Sequence, residues 1–147
     1  MSSEENTRTM SQIALENFGA YQKARQLFDL VVADMEILKT NPLWSKKCRV
    51  GSVEGKGSFT PGTPLIRFSL DTRHPTLVGN IEEGYGRLSR VEYVRFLDFA
   101  RGSARETRGR YERMKHWLDE GVIKQRIALL DEIIGILTAS IGTMRKK

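Results

Sequence analysis

Residues 80–106 read NIEEGYGRLSRVEYVRFLDFARGSARE, and this stretch decides the fold. Gly84 and Gly86 lie close together within it, and glycine adopts a positive φ without the steric cost that other residues meet. They therefore predict a sharp turn between two helices. Pro75 cannot sit inside a regular helix, so the helix before this turn is predicted to be short, over 76–85.

A long helix is predicted after the turn. Ser89 and Glu92 have the spacing of a capping box, in which the serine accepts from a free amide and the glutamate reaches back. The helix is expected to continue to about Asp119 and to end at Gly121. Its apolar and small residues recur at three- and four-residue steps on one arc. These are Tyr93, Phe96, Leu97, Ala100, Ala104, Thr107, Tyr111, Met114 and Leu118.

Two further amphipathic segments flank this central part of the chain. The first is predicted over 17–39 and is stopped by Asn41-Pro42, because the residue before proline avoids helical angles. The last is predicted over 122–145. Residues 43–75 between the first two helices are rich in glycine and proline, and a weak strand alternation occurs at Ile66, Phe68 and Leu70.

The pattern predicts an all-α protein. The expected architecture is an antiparallel four-helix bundle over 17–147, with an irregular or hairpin insertion between helices 1 and 2 at 43–75. Residues 1–10 are polar, and residues 1–16 are expected to form a flexible N-terminal tail.

On the first helix, the predicted core face holds Tyr21, Ala24, Phe28, Val31, Val32, Met35 and Leu38. On the last helix, one apolar stripe runs through Ile123, Ile127, Leu130, Ile134, Leu137, Ile141 and Met144. A second stripe there is formed by Val122, Leu129, Ile133 and Ile136. Because exposing both stripes would be unfavourable, the second predicts contacts between subunits; the alternative is that this helix is the central helix of a monomer.

The ordered pattern of residues 80–106 resembles a bacterial family. It matches N-I-x-E-G, then R-x-S-x-x-E-Y, then F-L-x-x-A-x-G-S-x-x-E, and Tyr21-Gln22-Lys23-Ala24 resembles the family's first helix. The family comprises four-helix-bundle proteins encoded in intervening sequences of ribosomal RNA genes and the accessory (Avd-like) proteins of diversity-generating retroelements. The chain departs from it at 71–75, where relatives carry a helix with a glutamine and paired arginines.

The resemblance implies a non-enzymatic protein that assembles as a ring-like homopentamer. It also implies binding to structured RNA or RNA/DNA, and a role as accessory partner of a retroelement reverse transcriptase. No cofactor is implied.

Composition agrees with an anionic partner. The formal net charge is +6, and such a balance favours association with nucleic acid. Cys48 is the single cysteine, which argues against a disulfide framework and predicts a reducing, cytoplasmic location. His74, His116 and Cys48 give no metal-ligand spacing. No apolar run near eighteen residues stands out, so no membrane segment is expected.

The candidate nucleic-acid site is a basic stripe on the third helix. Arginine suits phosphate because its planar fork gives paired donors. The stripe consists of Arg90, Arg101, Arg105 and Arg108, with Lys115 at its edge and Arg87 just before the helix. The alternative is a solvated face with local ion pairs, for which the spacing of Asp98–Arg101, Arg108–Glu112 and Glu106–Arg110 is suitable.

Other functions find less support. Gly51 to Ser58 is one residue short of a phosphate-binding loop and has glycine where the hydroxyl should be. Asn80 and Glu83 are expected to cap amides at the turn. The sequence offers no nucleophile, base and stabiliser together, so we predict no enzyme activity. The rival function is a homo-oligomeric protein-interaction scaffold with no specific nucleic-acid role.

Overall fold

The computed structural model describes residues 14–42 and 76–146, and within these ranges the regular structure is entirely helical. A helical turn over 14–16 precedes four helices, and Leu15 from this turn packs partly against the core. The helices are α1 (Gly19–Thr40), α2 (helical over the described residues 76–85), α3 (Arg90–Arg113) and α4 (Glu120–Arg145). The predicted insertion at 43–75 and residues 1–13 of the predicted tail lie outside the described residues.

The predicted bounds of α1 and α4 are confirmed to within two residues, and so is the predicted end of α2 at Tyr85, whereas its predicted start borders residues outside the described ranges and stays a prediction. The predicted end of α3 is wrong. α3 stops at Arg113, not at Asp119. The amide of Met114 donates to the carbonyl of Tyr111 at 3.0 Å, and the amide of Leu118 donates back to Met114 at 3.0 Å, so the backbone turns here. Asp119 is instead the N-cap of α4, and Gly121 lies in its first turn.

The core is built from one face of each helix. α4 contacts both α1 and α3, and it contributes the fully buried Leu130, Ile133 and Leu137. Each such side chain stabilises the fold by roughly 1.5–3 kcal/mol when fully buried. The buried residues of the other helices include Leu27 and Leu38 of α1, Leu77 and Ile81 of α2, and Leu97, Ala100 and Tyr111 of α3.

The core face of α1 is rotated relative to the prediction. Phe28 and Val32 were expected in the core, but they are 40% and 47% exposed. Leu27 and Asp34 are buried in their place. The face that packs follows the Ala24–Leu27–Val31–Asp34–Leu38 positions, and these steps of three and four residues exclude Phe28 and Val32.

The second apolar stripe of α4 is largely accommodated within one chain. Ile133 is fully buried, and Leu129 and Ile136 are partly buried against the core. Gly19 at the start of α1 lies so close that a Cβ there would be 3.7 Å from Cδ1 of Ile136. The packing of α1 and α4 thus accounts for much of this stripe, and the homo-oligomer stays a prediction.

α4 also bears on the expectation that no segment is apolar enough for a membrane. By length and composition alone, the helix Glu120–Arg145 is long and apolar enough to cross a membrane. The expectation that the chain holds no such apolar segment was therefore wrong. The core helix of a soluble protein passes the same test, and the buried residues of α4 pack on α1 and α3. This feature is weak evidence for a membrane span.

The turn between α2 and α3 depends on close packing and not on unusual backbone angles. Neither Gly84 nor Gly86 has a positive φ, contrary to the prediction. Gly84 lies inside α2, and a Cβ there would be 2.9 Å from Cβ of Phe96. Glycine is therefore needed at this position because α2 and α3 approach each other closely.

The predicted caps at this turn are only partly right. Ser89 is the N-cap of α3, but its side chain makes no cap hydrogen bond, so the capping box is not formed. Glu83 pairs with Arg87. The hydroxyl of Tyr21 donates to Oε1 of Glu82 at 2.8 Å, which ties α2 to α1. The carboxylates near the turn thus bind side chains of neighbouring elements.

Candidate nucleic-acid interface

Among the described helices, α3 is the most basic. It holds seven arginines against four carboxylates, so its surface carries an excess of positive charge. Its buried side packs on α2 and α4. The rest of its surface carries the predicted stripe and a second face beside the stripe.

Two members of the predicted stripe are held by ion pairs. Arg101 pairs with Asp98 on the same helix, and its side chain is only 20% exposed. Arg108 pairs with Glu112 and also reaches across to α4, where its Nε lies 2.6 Å from Oδ1 of Asp131. Hydrogen bonds to Asp131 and then to Glu112 raise the pKa of the Arg108 guanidinium.

These contacts confirm the pairs that the alternative interpretation predicted. The third predicted pair also forms, with Nη2 of Arg110 lying 3.6 Å from Oε2 of Glu106. Arg101 and Arg108 are thus fixed in position and partly neutralised. They contribute less net charge to the stripe than their number suggests.

The other two arginines of the stripe are differently placed. Arg90 and Arg105 are exposed, and neither forms an ion pair with another residue in 14–42 or 76–146. Arg90 is the first residue of α3, where the helix dipole disfavours a cation and favours an anion. An anionic group bound at Arg90 would remove that unfavourable interaction.

Lys115 and Arg87 lie outside the helix that carries the stripe. Lys115 was expected on α3, but the helix ends two residues earlier, so Lys115 occupies the turn before α4 as an exposed side chain. Arg87 lies between α2 and α3. It pairs with Glu83, and its guanidinium carbon lies 5.0 Å from the centroid of the Phe96 ring.

A cluster that the sequence did not reveal lies inside the protein. Nε of Arg126 donates to Oδ2 of Asp34 at 2.8 Å, and Nη2 donates to Oδ1 at 3.0 Å. The hydroxyl of Tyr111 donates to the same carboxylate at 2.7 Å. Asp34 is 1% exposed, and burial together with the Asp34 hydrogen bond raises the pKa of Tyr111.

The sequence nevertheless contains a pattern from which this cluster could have been predicted. Asp34 interrupts the apolar face of α1, and Arg126 interrupts that of α4, with Ile123 and Leu130 on either side. Opposite charges on two packed faces indicate a buried pair. The cluster joins α1, α3 and α4 and is closed to solvent, so it positions helices and does not meet a ligand.

The part of the chain covered by 14–42 and 76–146 contains no group of three or more His, Cys, Asp or Glu side chains that could hold a metal ion. No protein-family model matches the chain, and no curated protein matches it either.

Proposed function

We propose that this protein is a non-enzymatic accessory protein that binds structured RNA or RNA/DNA through the basic face of α3. The observation that carries the proposal is the exposed, unpaired charge on that helix. Within the described ranges, Arg90, Arg95, Arg105 and Arg113 are exposed and form no ion pair. Phosphates would neutralise them and release counterions, which is the main source of affinity in such complexes.

The proposal extends to assembly and setting. The protein would fold as an antiparallel four-helix bundle. It would assemble as a homopentamer in the cytoplasm, without a membrane anchor or cofactor. Several copies of the α3 face would then form one repeated cationic surface. The resemblance of residues 80–106 supports a retroelement reverse transcriptase as protein partner. Sedimentation velocity should give a mass five times the 16.8 kDa of one chain.

The test measures the salt dependence of RNA affinity. Fluorescence anisotropy with a labelled structured RNA, between about 50 and 200 mM salt, should show a steep loss of affinity for the natural chain. In Arg90→Gln/Arg105→Gln, two phosphate contacts are removed, so the slope of log affinity against log salt should fall by about two. These positions are preferred to Arg101 and Arg108, because changing those would also break ion pairs.

A matched control removes two positive charges elsewhere. Lys39→Gln/Lys124→Gln alters exposed lysines of α1 and α4 that pair with Glu36 and Glu120. Both double variants have the same net charge, but only the first should lose RNA affinity. Equal affinity and equal salt slope in the two variants would contradict the proposal.

A second candidate function is a protein-interaction scaffold. It is favoured by Leu88 and Val91, two exposed apolar side chains at the start of α3 beside Arg87 and Arg90. A protein with an acidic, partly apolar surface would fit there. Weak RNA binding at low salt, combined with a stable homo-oligomer, would favour this second function over the first.

A further inference from the structure

One face of α3 is neither buried nor part of the basic stripe. It follows Val91, Arg95, Phe99 and Gly102, whose steps of four, four and three residues place them on one side of the helix; we call this the outer arc. Val91 is 78% and Phe99 47% exposed, and Arg95 and Gly102 are exposed too. The outer arc adjoins the stripe of Arg90 and Arg105 around the helix circumference.

Gly102 is an exposed glycine one turn after Phe99. A Cβ built on Gly102 meets no heavy atom of the described structure within 4 Å, so packing within the chain does not require glycine here. Glycine inside a helix is disfavoured relative to alanine. Gly102 adds no side chain to this part of the outer arc.

The ring itself is held in place. Phe96 and Phe99 meet edge to face, with centroids 5.9 Å apart and an interplanar angle of 89°. The guanidinium of Arg95 lies over one face of the Phe99 ring, with its carbon 5.4 Å from the centroid, so a base would stack on the other face or displace this side chain. Arg95 forms no ion pair with any residue in the described part of the chain, so its charge is available to a ligand.

Exposed aromatic rings bordered by arginines suit one class of ligand. Successive bases of a single strand stack on aromatic side chains, while arginines neutralise the backbone and stack on the bases. Bases within a duplex are paired and stacked on one another, so they cannot reach such a ring. An apolar ring beside uncompensated cations therefore fits unpaired nucleotides better than a double helix.

We propose that the outer arc is a stacking site for unpaired bases of single-stranded RNA, with Phe99 as the platform and Arg95 as its cationic flank. This inference rests on the proposed function and adds to it the class of nucleic acid. The backbone of the strand would run along Arg90 and Arg105 while its bases turn toward Phe99.

The experiment compares two RNA ligands and uses the full chain. Fluorescence anisotropy is measured with a labelled oligouridine of about 12 nucleotides and with a duplex of similar length, a size suited to sites of this type. Phe99→Ala should weaken binding to oligouridine by about tenfold, because a base–aromatic stack is lost. Its affinity for the duplex should change less than about twofold, since duplex bases do not stack on the ring.

The matched control is Phe28→Ala. Phe28 is also a partly exposed phenylalanine, but it lies on α1 and not on α3, so its substitution should leave oligouridine binding unchanged. Phe99→Trp should retain binding, and its indole emission should be quenched on addition of oligouridine, relative to the natural chain. Far-UV circular dichroism establishes that each variant is folded.

The outcomes separate the two proposals. If the natural chain binds neither RNA, both the proposed function and this inference fail. If it binds RNA with a steep salt slope but Phe99→Ala binds oligouridine as the natural chain does, only the stacking site is overturned. Equal losses on oligouridine and duplex would also overturn it, because stacking on unpaired bases must distinguish the two.

Discussion

Asp34 and Arg126 illustrate how a buried charge can be tolerated. The carboxylate accepts three hydrogen bonds, two from Arg126 and one from Tyr111, so its desolvation is offset by paired donors. Such a pair adds little stability relative to apolar side chains of similar shape. Removing one partner, however, leaves an uncompensated charge in the core. The cluster therefore contributes more to the unique placement of the helices than to net stability.

Arg126→Met should lower the free energy of unfolding by about 3–5 kcal/mol, because Asp34 stays buried without its main partner. The triple variant Asp34→Leu/Tyr111→Phe/Arg126→Met should regain most of that loss. Urea unfolding followed by circular dichroism measures both.

The control for this prediction is a second ion pair between α1 and α4. Lys23 pairs with Glu132, but both side chains are well exposed, at 35% and 57%. Lys23→Met should cost less than about 1 kcal/mol, since exposed pairs are weak. Equal losses of stability in Arg126→Met and Lys23→Met would contradict the argument that burial makes the Asp34–Arg126 pair costly to break.

At the scale of elements, α3 and α4 begin differently. Asp119 caps α4, and its carboxylate accepts from the amide of Gly121 at 2.8 Å. Ser89 occupies the same position before α3, yet its hydroxyl makes no cap hydrogen bond. The two helices thus provide an internal comparison of a cap with and without a hydrogen bond.

Substitution of the two caps should give different results. Asp119→Ala should destabilise the protein by about 1 kcal/mol, because a free amide at the start of α4 loses its acceptor. Ser89→Ala should destabilise the protein by only a few tenths of the free energy lost in Asp119→Ala, because no cap hydrogen bond is removed. Thermal unfolding of the two variants provides the measurement, and equal shifts in midpoint would show that the Asp119 hydrogen bond contributes nothing.

The elements also show what the sequence can and cannot predict. Pro42 restricts the backbone of Asn41, so the end of α1 followed from local chemistry. The early end of α3 at Arg113 depends on how Met114 and Leu118 pack, and a helical period alone does not contain that information. Arg101 and Arg108 had predictable partners on their own helix, but the Arg108–Asp131 contact requires α4 to be in place.

At the scale of the whole molecule, the partly buried Tyr93 links stability to alkaline pH. Burial, and then the contact with Tyr85, raise the pKa of Tyr93 to about 12. Unfolded tyrosine has a pKa of about 10, so the folded protein holds this proton more tightly. The resulting stabilisation is complete below pH 10 and is lost as the pH rises through about 12.

Comparison with Tyr93→Phe isolates this effect. The difference in free energy of unfolding between the natural chain and Tyr93→Phe should be constant from about pH 7 to 9. Above about pH 10 the natural chain should lose up to about 2 kcal/mol relative to the variant. Urea titrations at a series of pH values provide the test, and parallel curves above pH 10 would contradict it.

The position of Asp34 along the chain also has a consequence for the order of folding. Asp34 is separated from Arg126 by 92 positions, whereas the Arg108–Asp131 contact between α3 and α4 spans 23. Contacts between near neighbours form sooner, because less chain entropy is lost before they are made. α1 should therefore dock late, onto α3 and α4 that have already met. Weakening the Asp34–Arg126 pair should then shorten the lifetime of the native state while leaving the refolding rate in stopped-flow experiments nearly unchanged.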